Sequence, residues 1–169
     1  MHAPGYKDLG TPPAQGEPVT LEIDGISVTV PAGTSVMRAA ALAGIDIPRL
    51  CATDTLKAFG SCRVCLVEIE GRAGFGHPAS CTTEVVGGMK VATQTDKLRR
   101  LRRGVLELYI SEHPMGSCPA ESRCELERLA DAHGIQESRF ASDRTARHVH
   151  TPAPLDASNP YFRFDNDLC

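Results

Sequence analysis

The stretch VTLEIDGISVTV, residues 19–30, alternates apolar and polar residues on either side of Asp24-Gly25. Alternation at period two is the mark of a half-buried strand, and Asp-Gly supplies the two positive-φ residues that a tight hairpin turn demands. Two antiparallel strands are therefore predicted. The next stretch, PAGTSVMRAAALAG (31–44), offers Thr34 or Ser35 as N-cap, a run of good helix formers and Gly44 as a left-handed stop, so it predicts one short helix. A cysteine-bearing loop follows. Then CRVCLVEIEG (62–71) reads as a buried strand ending in a turn, and GMKVATQ (88–94) as a further strand. Hairpin, helix, loop and strands in that order predict an α+β domain of β-grasp type.

Outward from this unit the texture changes. Residues 1–17 are rich in Pro and Gly and read as a flexible lead-in before a domain over 18–94. From Thr95-Asp96 onward the apolar residues Leu98, Leu101, Val105, Leu106, Tyr109 and Ile110 recur at helical spacing. That pattern leaves Lys97, Arg99, Arg100, Arg102 and Arg103 largely on the other sides, as a solvated or subunit-docking face. A second cysteine-bearing stretch, EHPMGSCPAESRC (112–124), leads into a shorter helix, ELERLADAH, that stops at Gly134. The helical segment is placed at 95–139. Residues 140–169, with several prolines and few apolar residues, read as an extended tail whose order depends on a partner.

Composition limits the functions available. A chain of 169 residues can bury a modest core without disulfide staples. The N-terminal stretch has no continuous apolar run, and nowhere is there a run of the roughly 18 apolar residues a spanning helix needs. Export and membrane insertion are not indicated, so a cytoplasmic location is expected. Seven cysteines in a reducing compartment favour metal or redox chemistry over disulfides. A net charge of −3, with no aromatic residues among the helix cations, argues against nucleic acid as a partner.

Cys51, Cys62, Cys65 and Cys81 stand as Cys-x10-Cys-x2-Cys-x15-Cys. Four thiolates suit tetrahedral zinc or a [2Fe–2S] cluster, in which each iron takes two terminal sulfurs. Zinc sites usually draw ligands from two close pairs, and here only Cys62 and Cys65 are close in sequence. Gly60 and Ser61, just before Cys62, also favour the cluster, because small residues let backbone N–H groups approach its sulfides.

The stretches IDIPRLCATDTLKAFGSCRVCLVEIEG and PASCTTEVVGGMKVATQTDKLRRLRRGVLELYISEHP resemble the N-terminal [2Fe–2S] ferredoxin domain, and the helix after it, of NAD-linked formate dehydrogenase alpha subunits. Related domains open the complex I large iron–sulfur subunit and the diaphorase iron–sulfur subunit of NAD-reducing hydrogenases. The resemblance implies that Cys51, Cys62, Cys65 and Cys81 hold a [2Fe–2S] cluster. It also implies a [4Fe–4S] cluster on one His and three Cys in the next segment. Here His113, Cys118 and Cys124 fall at matching offsets, but Met115 stands where a cysteine is needed, and a thioether brings no negative charge to an iron cubane. Three readings stay open: a vestigial site; a cubane or three-iron cluster with an unusual ligand; or zinc on His113, Cys118, Cys124 and a carboxylate such as Glu121. His77, His148 and His150 read as solvated. Cys169 resembles the first ligand of a tandem [4Fe–4S] domain that would follow.

The function expected is an iron–sulfur electron-transfer module of a multisubunit NAD-linked oxidoreductase, formate dehydrogenase-like, with no substrate site of its own. Its partners would be flavin-side and catalytic subunits. The competing expectation is a zinc-bearing docking or assembly module without redox chemistry.

Overall fold

The computed structural model describes residues 14–53, 56–71, 76–113, 124–140 and 155–164. Met115, Cys118, Glu121, His148, His150 and Cys169 lie outside the described residues. The chain divides into two compact units, residues 1–106 and 107–169.

The first unit is built on the hairpin. Strand β1 (Pro18–Ile23) pairs antiparallel with β2 (Ile26–Pro31), with Ile23 opposite Ile26 across the turn. Asp24 and Gly25 both take positive φ, 49° and 82°, as a two-residue turn requires. Helix α1 (Val36–Leu42) follows, with Ser35 as N-cap accepting from the Arg38 N–H. Strands β3 (Glu68–Ile69) and β4 (Lys90–Ala92) complete a four-stranded sheet in the order β2-β1-β4-β3, in which β1 and β4 run parallel. The Asp24 carboxylate accepts from both the N–H and the hydroxyl of Thr93, just past β4, which ties the hairpin turn to the end of the neighbouring strand. Leu21, Ile23, Val28 and Val30 from the hairpin, Val36, Met37, Ala39 and Ala40 from α1, and Val67 and Val91 form one core. This is the mixed α+β sheet that the sequence pattern implied.

Two differences from that pattern matter. The strand anticipated over 62–71 is reduced to the two residues of β3. Helix α2 (Asp96–Glu112), started by Thr95 Oγ1 accepting from the Leu98 N–H, does not leave all five of its early cations outside. Arg102 is buried with Leu98 and Leu106, one helical turn away on either side. The two facts meet on one segment. The Arg102 guanidinium donates to the carbonyl of Val64 at 3.2 Å and to that of Leu66 at 2.7 Å, occupying the side on which a pairing strand would sit.

The second unit contains the end of α2 and helix α3 (Glu125–Ala132). Its buried residues include Glu107, Ile110, Cys124, Ala130 and Ile135. Glu107 is paired at 2.6 Å with Arg139, and Ser138 donates to the Glu107 carbonyl. Residues 155–164 include a reciprocal backbone bridge between Asp156 and Phe164.

Candidate metal centre

Three backbone devices bring the four thiols of the first unit toward one another. The first is α1: its opening N–H groups, at Val36 and Met37, donate to the carbonyls of Thr83 and Ser80, which pins the segment carrying Cys81. The second is a short ladder, Val67 N–H to Pro78 and Ser80 N–H to Cys65, which lays that segment beside the one carrying Cys65. The Cys65 carbonyl thus faces Ser80, while those of Val64 and Leu66 face Arg102. The third is the turn at Arg63, whose φ of 58° is left-handed for a non-glycine residue and redirects the chain between Cys62 and Cys65.

The result is one close pair of sulfurs and one thiol held on the backbone of its neighbour in the ligand order. Cys65 Sγ and Cys81 Sγ lie 3.5 Å apart, both buried in the hydrophobic core. Cys51 Sγ accepts the Cys62 N–H at 3.3 Å, and Cys51 is the one thiol of the four that is partly exposed. All four are free. Among the described residues the one group of three or more His, Cys, Asp or Glu donors lying within 4.8 Å of one another is elsewhere, so no three of these sulfurs lie that close together. One tetrahedral zinc ion with Zn–S of about 2.3 Å would hold every sulfur pair near about 3.8 Å. Ligands grouped two by two, Cys51 with Cys62 and Cys65 with Cys81, suit two irons instead.

The surroundings fit the same group. Ser80 Oγ is fully buried and, among the described residues, makes no hydrogen bond of ordinary length, although it lies near enough to Cys65 to help lower that thiol; a cluster sulfide or thiolate would satisfy such an atom. Gly60 has φ of 74°, and a Cβ there would come within 3.1 Å of Thr82, so the loop before Cys62 packs against the residue after Cys81. Gly60→Ala is expected to cost roughly 1–3 kcal/mol through strain and crowding, and to shorten cluster retention, checked by urea melts and by the decay of visible absorption.

Electrostatics divide the inner pair. The hydrogen bond with Cys81 pulls the Cys65 thiol down from 9.0 to about 6, with burial acting against it. The same bond, burial and the charges of Cys65, Cys51 and Cys62 push Cys81 well above its ordinary value. Cys51 is burdened by burial, but hydrogen bonds from Ser61 and Cys62 bring it below the usual thiol value. For the metal-free chain the pair sets a pH dependence. Cys65, low in the folded state, contributes stability that is complete above pH 9.0 and lost as pH falls toward about 6. Cys81, raised in the folded state, contributes below its unfolded value and loses that contribution as pH climbs past it. Thermal melts of metal-free protein are expected to rise from pH 6 to pH 9 and fall beyond.

The other candidates are placed differently. His77 is not solvated; it is mostly buried and pairs with Glu68 at 3.2 Å. In the second unit His113 and Cys124 come together, 3.4 Å apart, and Glu127 joins them, with its Oε1 at 3.3 Å from His113 Nε2. Glu127 was not anticipated. A glutamate within a charged helix reads as solvated, and only its spacing of three from Cys124 on α3 could have flagged it.

Comparison with known proteins settles the class of the first unit. Residues 16–96 match the 2Fe-2S iron-sulfur cluster binding domain family. These residues form a [2Fe–2S] cluster binding domain. The chain is 38% identical over 145 residues to the NADPH-Fe(3+) oxidoreductase subunit alpha of Geobacter sulfurreducens, covering 84% of this chain and 17% of that protein. It is 37% identical over 124 residues to the NADH-ubiquinone oxidoreductase 75 kDa subunit of Reclinomonas americana, covering 72% of this chain and 18% of that protein. Among solved structures, a chain of an NAD+-reducing [NiFe]-hydrogenase in the H2-reduced state aligns with a TM-score of 0.71 and 33% identity, over 89% of this chain and 61% of that one. The chain thus spans about a sixth of the length of these curated relatives. Among the described residues no helix is long and apolar enough to cross a membrane.

Proposed function

We propose that the chain is an electron-transfer module of a multisubunit NAD-linked oxidoreductase, working in the cytoplasm, with Cys51, Cys62, Cys65 and Cys81 as the ligands of its [2Fe–2S] cluster. The observation that carries this reading is the pairing of the four cysteines, Cys51 Sγ on the Cys62 N–H and Cys65 Sγ against Cys81 Sγ, inside the segment that matches the cluster-binding family. Cys51 and Cys62 would hold one iron and Cys65 and Cys81 the other. When bound, the cluster supplies a one-electron couple.

The chain's own residues do the rest. Cys65 and Cys81, inside the hydrophobic core, keep water from the inner pair. Arg102 fixes the backbone on both sides of Cys65 and brings a positive charge near it. Ser80 offers a hydroxyl for hydrogen bonding. Residues 18–94 are assigned to this domain and 95–139 to the helical segment. Lys97, Arg99, Arg100 and Arg103, all exposed, would form the face toward an acidic partner subunit. The relatives bear the names of NAD(P)-linked enzyme subunits, and the parent favoured by sequence resemblance is a formate dehydrogenase.

The reading is tested by anaerobic purification with iron and sulfide analysis of the full chain. Two irons and two sulfides per chain, with visible charge-transfer absorption, are expected of the four-thiol site. Stoichiometric zinc without labile sulfide would overturn it and leave a docking module.

A further inference from the structure

The second unit carries a donor cluster that an electron carrier with one [2Fe–2S] cluster does not use. His113 closes α2, Cys124 is the N-cap residue of α3, and Glu127 lies one turn into that helix, so the three donors come from two helix ends facing one another within one unit. The Cys124 side chain makes no capping hydrogen bond to its own helix. His113 and Glu127 are mostly buried, with side-chain exposures of 16% and 22%, and Cys124 is buried at 7%.

The distances are those of ligands around one ion. A tetrahedral zinc-type ion with Zn–N and Zn–O near about 2.1 Å and Zn–S near about 2.3 Å places N and S about 3.6 Å apart and N and O about 3.4 Å apart. The observed separations are 3.4 Å for His113 Nε2 to Cys124 Sγ and 3.3 Å for His113 Nε2 to Glu127 Oε1, and all three donors lie within 4.8 Å of one another. As hydrogen bonding the arrangement is weaker, since one ring nitrogen with at most one hydrogen faces both a sulfur and a carboxylate oxygen. Charge also balances: a thiolate and a carboxylate with a neutral imidazole neutralise a dication in a mostly buried site.

The [4Fe–4S] cubane implied by resemblance does not fit this donor set. It needs three thiolates beside the histidine, whereas this chain has Met115 at one of those positions and sets a carboxylate against the imidazole. A mixed N, S and O set suits a borderline divalent ion better than an iron–sulfur cubane. We infer that His113, Cys124 and Glu127 bind a single divalent cation of the zinc class, in place of a second iron–sulfur cluster.

The test uses the full chain with its [2Fe–2S] site loaded and quantified, so that the four thiols of the first unit are occupied. Co(II) is titrated anaerobically as the spectroscopic probe. One equivalent is expected to bind with tetrahedral d–d bands and sulfur-to-cobalt charge transfer, and zinc is expected to displace it. Loss of an outer-shell partner alone costs about 10–100-fold in metal affinity, so Glu127→Gln, which removes a direct ligand, should weaken binding by at least about 100-fold. Cys124→Ser should abolish the charge-transfer band, and it serves as the second variant if Glu127→Gln is poorly folded. The [2Fe–2S] absorption, unchanged in both variants, reports separately on the first centre. No cobalt binding by the loaded wild-type chain would overturn the inference. So would wild-type affinity in a folded Glu127→Gln chain, or four additional irons with sulfide after reconstitution of the wild type.

Discussion

Cys65→Ser is expected to lose the bulk of the bound iron, at least about tenfold relative to wild type after identical anaerobic reconstitution, together with the visible charge-transfer bands. Cys65 has no exposed surface and sits 3.5 Å from Cys81, so no other side chain can swing in without disturbing the core around it. A serine oxygen is harder and far less acidic than the thiol it replaces, which Cys81 already holds down to about 6. Iron and sulfide assays on the variant decide the matter, with Cys124→Ser as a control expected to retain both. Wild-type iron and sulfide in Cys65→Ser would remove Cys65 from the ligand set.

Arg102→Met should be the most destabilising change outside the cysteines, by roughly 3–5 kcal/mol. The substitution leaves the stem of the side chain but strips the Val64 and Leu66 carbonyls of their buried donor. Each orphaned group costs about 1–3 kcal/mol, and for a domain this size that means a melting temperature lower by more than about 10 °C. Burial already draws the Arg102 guanidinium below its usual pKa, with the charges of Cys65 and Asp24 acting the other way. With the cluster bound, losing this cation should also lower the midpoint potential, because adding an electron then lacks a nearby positive charge. Arg102→Lys should recover the potential better than the stability, since it keeps the charge and loses the two-pronged geometry. Urea melts and redox titration of the three proteins separate the effects, and a Met variant melting within about 1 kcal/mol of wild type would refute the clamp.

What the sequence disclosed, and what it hid, follows from how far each feature reaches. The Asp24-Gly25 turn, the Ser35 cap and the Gly44 stop are local chemistry, and each stands where the pattern placed it. The cysteine spacing pointed toward a [2Fe–2S] cluster, the class that the family match over 16–96 supports, because four soft ligands are rare and their separations distinctive. Arg102 was hidden by the rule that found its helix, which sends cations outward and cannot see two carbonyls waiting on another segment. The shortened strand was hidden with it, since an apolar run reads as strand whether its edge meets another backbone or a guanidinium. Glu127 was missed for a similar reason, and Glu121, the carboxylate weighed instead, lies outside the described residues.

The parallel pairing of β1 with β4 bears on the order of events during folding. Glu22 meets Lys90, and all four thiols of the first centre lie on the chain between them. Contacts so distant in sequence form late, because the intervening loop must close before they repay its entropy. During synthesis the cysteines therefore leave the ribosome before the sheet that will shelter Cys65 and Cys81 can close. That interval gives a cluster donor access to the inner thiols, and it exposes them equally to oxidants and to competing metals.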